Sequence, residues 1–210
     1  MVARRGQARE RILEKAEELV KQKGSAPVTI EQVARSAGVA KGLVHYHFKT
    51  KQGLMKAVAY RIAAARERNW TEAFDADTPT AALECTWSLL THESESGAIR
   101  AWNSLLSNED LLTDQTARSL YGEFSDALGG ALIRMLQDKM DLAPTVPASE
   151  IGWLLGAIVN GMGLQLLGGA NRAELEGAYA AAWLGILNLT TGRGPSDAGD
   201  GSAVDDGAGW

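Results

Sequence analysis

The residues best suited to chemistry lie in one short stretch, 29–48, which reads TIEQVARSAGVAKGLVHYHF. In and just after it, Lys41, His45, Tyr46, His47, Lys49 and Lys51 gather positive charge, hydrogen-bond donors and an aromatic ring. Such a set suits nucleic acid. Ammonium groups neutralise phosphates, and side chains projecting from a helix reach base edges in the major groove. Metal chemistry does not fit, because His45 and His47 stand two apart and on a helix point about 200° away from each other. Elsewhere there is no nucleophile elbow, phosphate-cradling Gly loop, zinc motif or dinucleotide fingerprint. His92 with Glu93 and Glu95 reads as an isolated polar patch at a helix end. The expectation is therefore no enzyme, no metal and no cofactor.

The elements around the stretch explain how it could be held. Ile12, Leu13, Ala16, Leu19 and Val20 repeat at helical spacing and predict a first helix over 6–22, which Gly24 can end. Thr29 followed by Gln32 is a capping-box pattern and opens a second helix over 30–37. Gly38 supplies a tight turn, because glycine takes a positive φ that other residues resist. A third helix over 40–48 follows, with Val44 and Phe48 spaced to pin it against the first two. That seam leaves Lys41, Gly42, Leu43, His45, Tyr46 and His47 largely outside the core. A fourth helix covers 51–70. Further helical segments are predicted at 79–92, 97–106, 108–140 (one helix or two), 148–168 and 172–191, with no convincing strand. The fold class is all-α.

Charge divides along the chain. Residues 1–70 hold 15 Lys/Arg against 6 Asp/Glu, whereas 71–210 hold 6 against 20. A basic head on an acidic body presents one surface to phosphates and repels them with the rest. The single cysteine, Cys85, cannot form an intrachain disulfide, which suits a reducing cytoplasm. The basic start reaches no apolar run like that of a signal peptide, and no run of about 20 uncharged apolar residues predicts a membrane span. The organisation expected is a helix-turn-helix domain over 1–52, a helical effector-binding and dimerisation domain over 53–191, and a disordered Gly/Asp-rich tail over 192–210.

Together, Thr29, the turn Ala37-Gly38-Val39, Lys41-Gly42, the cluster His45-Tyr46-His47 and the run Phe48-Lys49-Thr50-Lys51 resemble the DNA-binding signature of the tetracycline-repressor (TetR) family. The resemblance covers about residues 6–60; beyond it only helical pattern and length agree. It implies a ligand-responsive regulator that binds a palindromic operator in double-stranded DNA, by family default a repressor released by a small effector. It implies that Thr29 caps its helix and touches a phosphate, and that Lys41, Gly42 and Leu43 read base edges. Tyr46 and His47 would contact backbone or bases, and Lys51 a phosphate. His45 stands where the family usually has tyrosine, and Leu43 where a small Thr or Ser is common, favouring an apolar contact such as a thymine methyl. Arg4 and Arg5 could reach a minor groove or remain a solvated arm.

The larger half is rich in aromatics. Trp87, Trp102, Tyr121, Phe124 and Trp153 could converge around a cavity, with Asn103, Asn160 or Gln165 supplying hydrogen bonds. The effector expected is small and hydrophobic or aromatic; ordinary core packing is the alternative for each residue. Gly156, Gly161 and Gly163 cost helix stability, roughly 1 kcal/mol each against alanine. Close helix packing or room for a ligand would compensate. Helices 148–168 and 172–191, small-residued and apolar, suit the intersubunit four-helix bundle of a homodimer. The alternative to a regulator is a small-molecule-binding protein or enzyme whose N-terminal helices do not bind DNA.

Overall fold

A computed structural model describes residues 2–142 and 145–190, with side chains from residue 6 to residue 188. The expected tail over 192–210 and the side chains of Arg4 and Arg5 lie outside the described residues. Among the described residues the chain forms helices only: α1 Val2–Lys23, α2 Ile30–Ser36, α3 Lys41–Phe48, α4 Lys51–Phe74, α5 Pro79–Glu95, α6 Ala98–Leu106, α7 Asp114–Met140, α8 Ala148–Leu167 and α9 Arg172–Thr190. The all-α expectation holds. The stretch expected over 108–140 is one helix, α7, opened by Thr113, whose hydroxyl accepts from the Thr116 amide.

α1, α2 and α3 close a small core through Ile12, Ala16, Val20, Val33, Ala34, Val44 and Phe48, all buried. α4 runs from this head into the body. Its Leu54, Met55 and Val58 and its Ile62, Trp70 and Phe74 are all buried. The boundary expected at 52/53 thus falls within the first turn of a continuous helix. A second connection is made by α6. Ser25, after α1, donates its amide to Ser104 Oγ (3.0 Å) and its hydroxyl to the Ser104 carbonyl (2.6 Å). Arg100 donates to the Lys21 carbonyl (2.8 Å) near the C-terminus of α1, where a cation also favours the helix dipole.

In the body, α7 and α8 lie against each other without side chains between them at two places. A Cβ on Gly129 would strike the Ala148 carbonyl, and one on Gly152 the Ser125 carbonyl. The glycines singled out in α8 divide. Gly156 faces Ser125 and Gly163 faces Ile99 at close range, whereas Gly161 has open space beside it. Close packing compensates two of the three. By length and composition α8 could cross a membrane, which the sequence reading did not anticipate. Here its glycine side is seated on α7, while Trp153, Leu154 and Leu164 remain exposed on the other side.

Candidate nucleic-acid interface

The turn between α2 and α3 sets the geometry. Thr29 Oγ1 accepts from the Gln32 amide (3.2 Å) and the Thr29 amide donates to Gln32 Oε1 (3.1 Å), so the capping box is formed in full. Exchanging Thr29 for alanine should lower stability by about 1 kcal/mol; urea denaturation followed by circular dichroism checks this. At the other end of α2, the Val39 amide reaches back to the Ala34 carbonyl (2.9 Å) and the Gly38 amide to that of Arg35 (3.2 Å). Gly38 sits at φ 62°. This is a Schellman closure, which needs a left-handed residue at that position and satisfies carbonyls the helix would otherwise orphan.

α3 then leaves the turn with Val44 and Phe48 buried and Lys41, Gly42, His45, Tyr46 and Lys49 exposed. Tyr46 is 56% exposed, its ring near Lys49 Nζ (5.6 Å). Lys49 has φ 65° and ψ −54°, and the Thr50 amide donates to the Phe48 carbonyl (2.7 Å) across it. That is a γ-turn at a non-glycine residue, a strained conformation of the sort that clusters at functional sites. His45 Nδ1 lies 3.1 Å from the Lys49 carbonyl and closes the same turn. Lys41, Gly42, His45, Tyr46 and Lys49 therefore share an accessible surface on a helix with a rigid seam.

Two residues expected on that surface, Leu43 and His47, are half-buried instead. Leu43 packs against the core. His47 has its Nε2 enclosed without a hydrogen-bond partner among the described residues and its ring 5.1 Å from that of Tyr46. Its place on α3 turns it further inward than the reading of two pinning residues allowed. Lys51, opening α4, donates Nζ to the Ala26 carbonyl (2.8 Å), bridging back to the α1–α2 loop. Thr29 is exposed beside that loop.

The aromatic residues expected around one cavity separate into three places. Trp102 packs edge-on against Tyr121 (5.4 Å) and against Phe124 (5.7 Å), with Trp70 beyond (6.4 Å from Phe124). Tyr121 and Phe124 share α7, so they approach as neighbours on one helix. Trp87 lies instead against Tyr179 of α9 (5.4 Å). Trp153 is 51% exposed, and Gln165 is exposed as well, so neither joins a cavity with the others. The helical phase of α8 turns them away from α7. Asn103 is half-buried and donates to the Ile99 carbonyl one turn back (3.0 Å).

What sits among Trp102, Phe124 and half-buried Asn160 is a side chain the sequence reading passed over. Arg66 of α4 is 2% exposed and forms a forked ion pair with Glu93 of α5 (Nη2–Oε2 2.9 Å, Nε–Oε1 3.0 Å). Its guanidinium stands 4.8 Å from the Trp102 ring and 4.5 Å from that of Phe124, while Nη1 approaches Asn160 Oδ1 (3.4 Å). Burial pushes the Tyr121 phenol up, opposed by the positive charge of Arg66. Glu93 is therefore not part of an exposed patch with His92 and Glu95. It faces inward and the other two are exposed. The sequence offered one signal: Arg66 falls on the same helical stripe as Ile62 and Trp70, where a charge demands a partner.

Residues 12–58 match the family model described as bacterial regulatory proteins, tetR family. The chain is 33% identical over 81 residues to the HTH-type transcriptional regulator SrpR of Pseudomonas putida, a match covering 39% of this chain and 35% of that one. It is equally similar, over 81 residues, to the uncharacterized HTH-type transcriptional regulator TtgW, also of Pseudomonas putida, covering 39% and 55%. The matches thus span about a third to a half of those relatives' length. Among solved structures, the fold resembles a TetR-family transcriptional regulator from Agrobacterium tumefaciens, with TM-score 0.67, 18% identity, and 89% and 99% of the two chains covered. It likewise resembles reduced E. coli NemR, with TM-score 0.68, 19% identity, and 88% and 99% covered. At these identities the likeness to solved structures is one of fold.

Proposed function

We propose, from the premise that residues 12–58 match the tetR family of bacterial regulatory proteins and about nine-tenths of the chain has the fold of a solved TetR-family regulator, that this protein is a sequence-specific DNA-binding transcriptional regulator. In this reading it is a cytoplasmic homodimer that represses from a palindromic operator and is released by a small hydrophobic or aromatic effector. The observation that carries the reading is the outer face of α3. Lys41, Gly42, His45, Tyr46 and Lys49 are exposed on a helix fixed by Val44, Phe48 and the closure at Gly38, within the basic N-terminal third of an acidic chain.

Residues 1–52 form the reading head in this proposal and 53–191 the effector and dimer half. Thr29 and Lys51 flank the groove-reading residues and meet phosphates, with Lys51 exchanging the Ala26 carbonyl for DNA. Leu43 and His47 contribute through their exposed edges. Dimerisation uses the outer sides of α8 and α9, where Trp153, Leu154, Leu164 and Leu184 are exposed. A two-fold axis there would set the two copies of α3 about 34 Å apart, one turn of the duplex. Effector binding shifts a pre-existing equilibrium between two head spacings, which requires that the effector bind the two states unequally. α4 and the Ser25–Ser104 clasp of α6 carry that difference to the head.

The test is a gel-shift titration on the DNA flanking the protein's own gene, at two salt concentrations with competitor DNA. The expected result is competitor-resistant binding that weakens steeply with salt. Lys41→Ala should lower the salt slope by about 1, and Tyr46→Ala should weaken binding roughly tenfold, without loss of helix content. Salt-insensitive binding, or a random-sequence selection that enriches no site, would overturn the proposal.

A further inference from the structure

A large apolar space lies away from the Arg66 cluster, between α5 and α9. Two adjoining clefts, of about 310 Å³ and 300 Å³, share Thr80 and Leu83 of α5 and Ala180 of α9 as lining. Together they reach the size range of small-molecule sites. The first is floored by Trp87 and Tyr179, whose rings lie 5.4 Å apart at 35°. Its mouth carries Glu84 from α5 and Glu176 from α9. No Lys, Arg or His lines either cleft, and neither carboxylate makes an ion pair with a described residue. The second cleft is apolar and continues toward Met135, Trp183 and Leu187.

Aromatic faces and uncompensated carboxylates attract the same kind of ligand. Ring quadrupoles favour a cation over their faces, and two like charges at one mouth favour any cation that separates them. We infer that the α5–α9 cleft binds an elongated organic cation, its ammonium-type head between Glu84 and Glu176 over Trp87 and Tyr179, its apolar body running toward Trp183. An anion is disfavoured at the mouth, and a neutral body alone gains nothing from the two carboxylates. Leu184 lines the second cleft and also belongs to the proposed dimer face, so that cleft's outer end adjoins the dimer seam, whereas Glu84, Trp87, Glu176 and Tyr179 line the first cleft alone. The cleft between α4 and α7 makes no such selection, because Arg134 and Lys139 stand there among the carboxylates of Glu72, Asp75 and Asp138.

The cation's role as the effector rests on the regulator reading; its binding does not. The experiment titrates the full chain, by calorimetry below micellar concentrations, with decyltrimethylammonium, decyl sulfate and decanol. The expected result is a cation affinity roughly tenfold above those of the other two. Glu84→Gln with Glu176→Gln should abolish that preference while leaving decanol binding unchanged. Ala180→Leu, which narrows the shared passage, should weaken both cation and alcohol, with circular dichroism confirming the fold of each variant. Equal binding of the three probes, or a preference that survives in the double glutamine variant, overturns the site. In a parallel gel shift, cation binding without operator release overturns the effector role. A ligand-free protein that holds no DNA overturns the regulator reading instead, and the calorimetry still decides the site.

Discussion

Glu93→Ala should destabilise the protein by about 3–5 kcal/mol, the cost of leaving a buried charge without its partner. Arg66 has nowhere to go. It is 2% exposed, and the rings of Trp102 and Phe124 hold its guanidinium in place. Removing the carboxylate strips the fork of all three of its charge-assisted hydrogen bonds, leaving only the longer contact to Asn160. The contrast that tests this account is the double exchange Arg66→Met with Glu93→Leu. Apolar groups of similar volume remove the desolvation cost together with the attraction, so the double variant should lie near the parent or above it. Urea denaturation at fixed protomer concentration measures both, since the proposed dimerisation would make apparent stability concentration-dependent. A Glu93→Ala cost below about 1 kcal/mol would place the pair in the range of exposed ion pairs and refute its burial.

Gly152→Ala should cost about 3 kcal/mol, at the upper end of the range for overpacking. The added methyl would meet the backbone carbonyl of Ser125, which cannot rotate aside as a flexible side chain can. α8 would have to move off α7 along its length, and close-packed interiors transmit such strain rather than absorb it. Gly129→Ala makes the matching collision with the Ala148 carbonyl. The two sites share one crossing, so the double variant should cost less than the sum. Gly161→Ala is the internal control. No described residue outside its own helix backbone lies within 4 Å of its would-be Cβ, and alanine's better helix propensity should stabilise by up to about 1 kcal/mol. Thermal melts of the four variants give the order. Equal melting temperatures for Gly152→Ala and Gly161→Ala would show that the helices do not approach at Gly152.

The head of this protein was legible in its sequence because its signals are local. A capping box needs only Thr29 and Gln32; a Schellman turn needs only a glycine at position 38; the α3 seam needs only Val44 and Phe48 one turn apart. Each follows from backbone geometry within a few residues, and the helix boundaries agree to within one or two positions for α2 and α3. Even there, His47 and Leu43 were read as more exposed than they are. Which edge of α3 meets α1 and α4 is a property of three-dimensional packing.

In the body, the helices were legible and their partners were not. Periodicity marks an apolar side on α5, α7, α8 and α9, but it cannot say which helix covers that side. Trp87 and Trp102 carry the same sequence signal, yet one stacks on Tyr179 and the other helps enclose Arg66. Trp153 looks like a core residue by type, and only the burial of Gly152 beside it against α7 sends it to the surface. The pairing of Arg66 with Glu93 spans 27 residues, and no local pattern specifies it. What the sequence determined by itself was therefore the set of helices, the Thr29 cap, the Gly38 turn and the basic outer face of α3. The tertiary structure alone decided where the aromatic residues meet, because a side chain's neighbours depend on how whole helices pack and not on the residues beside it in the chain.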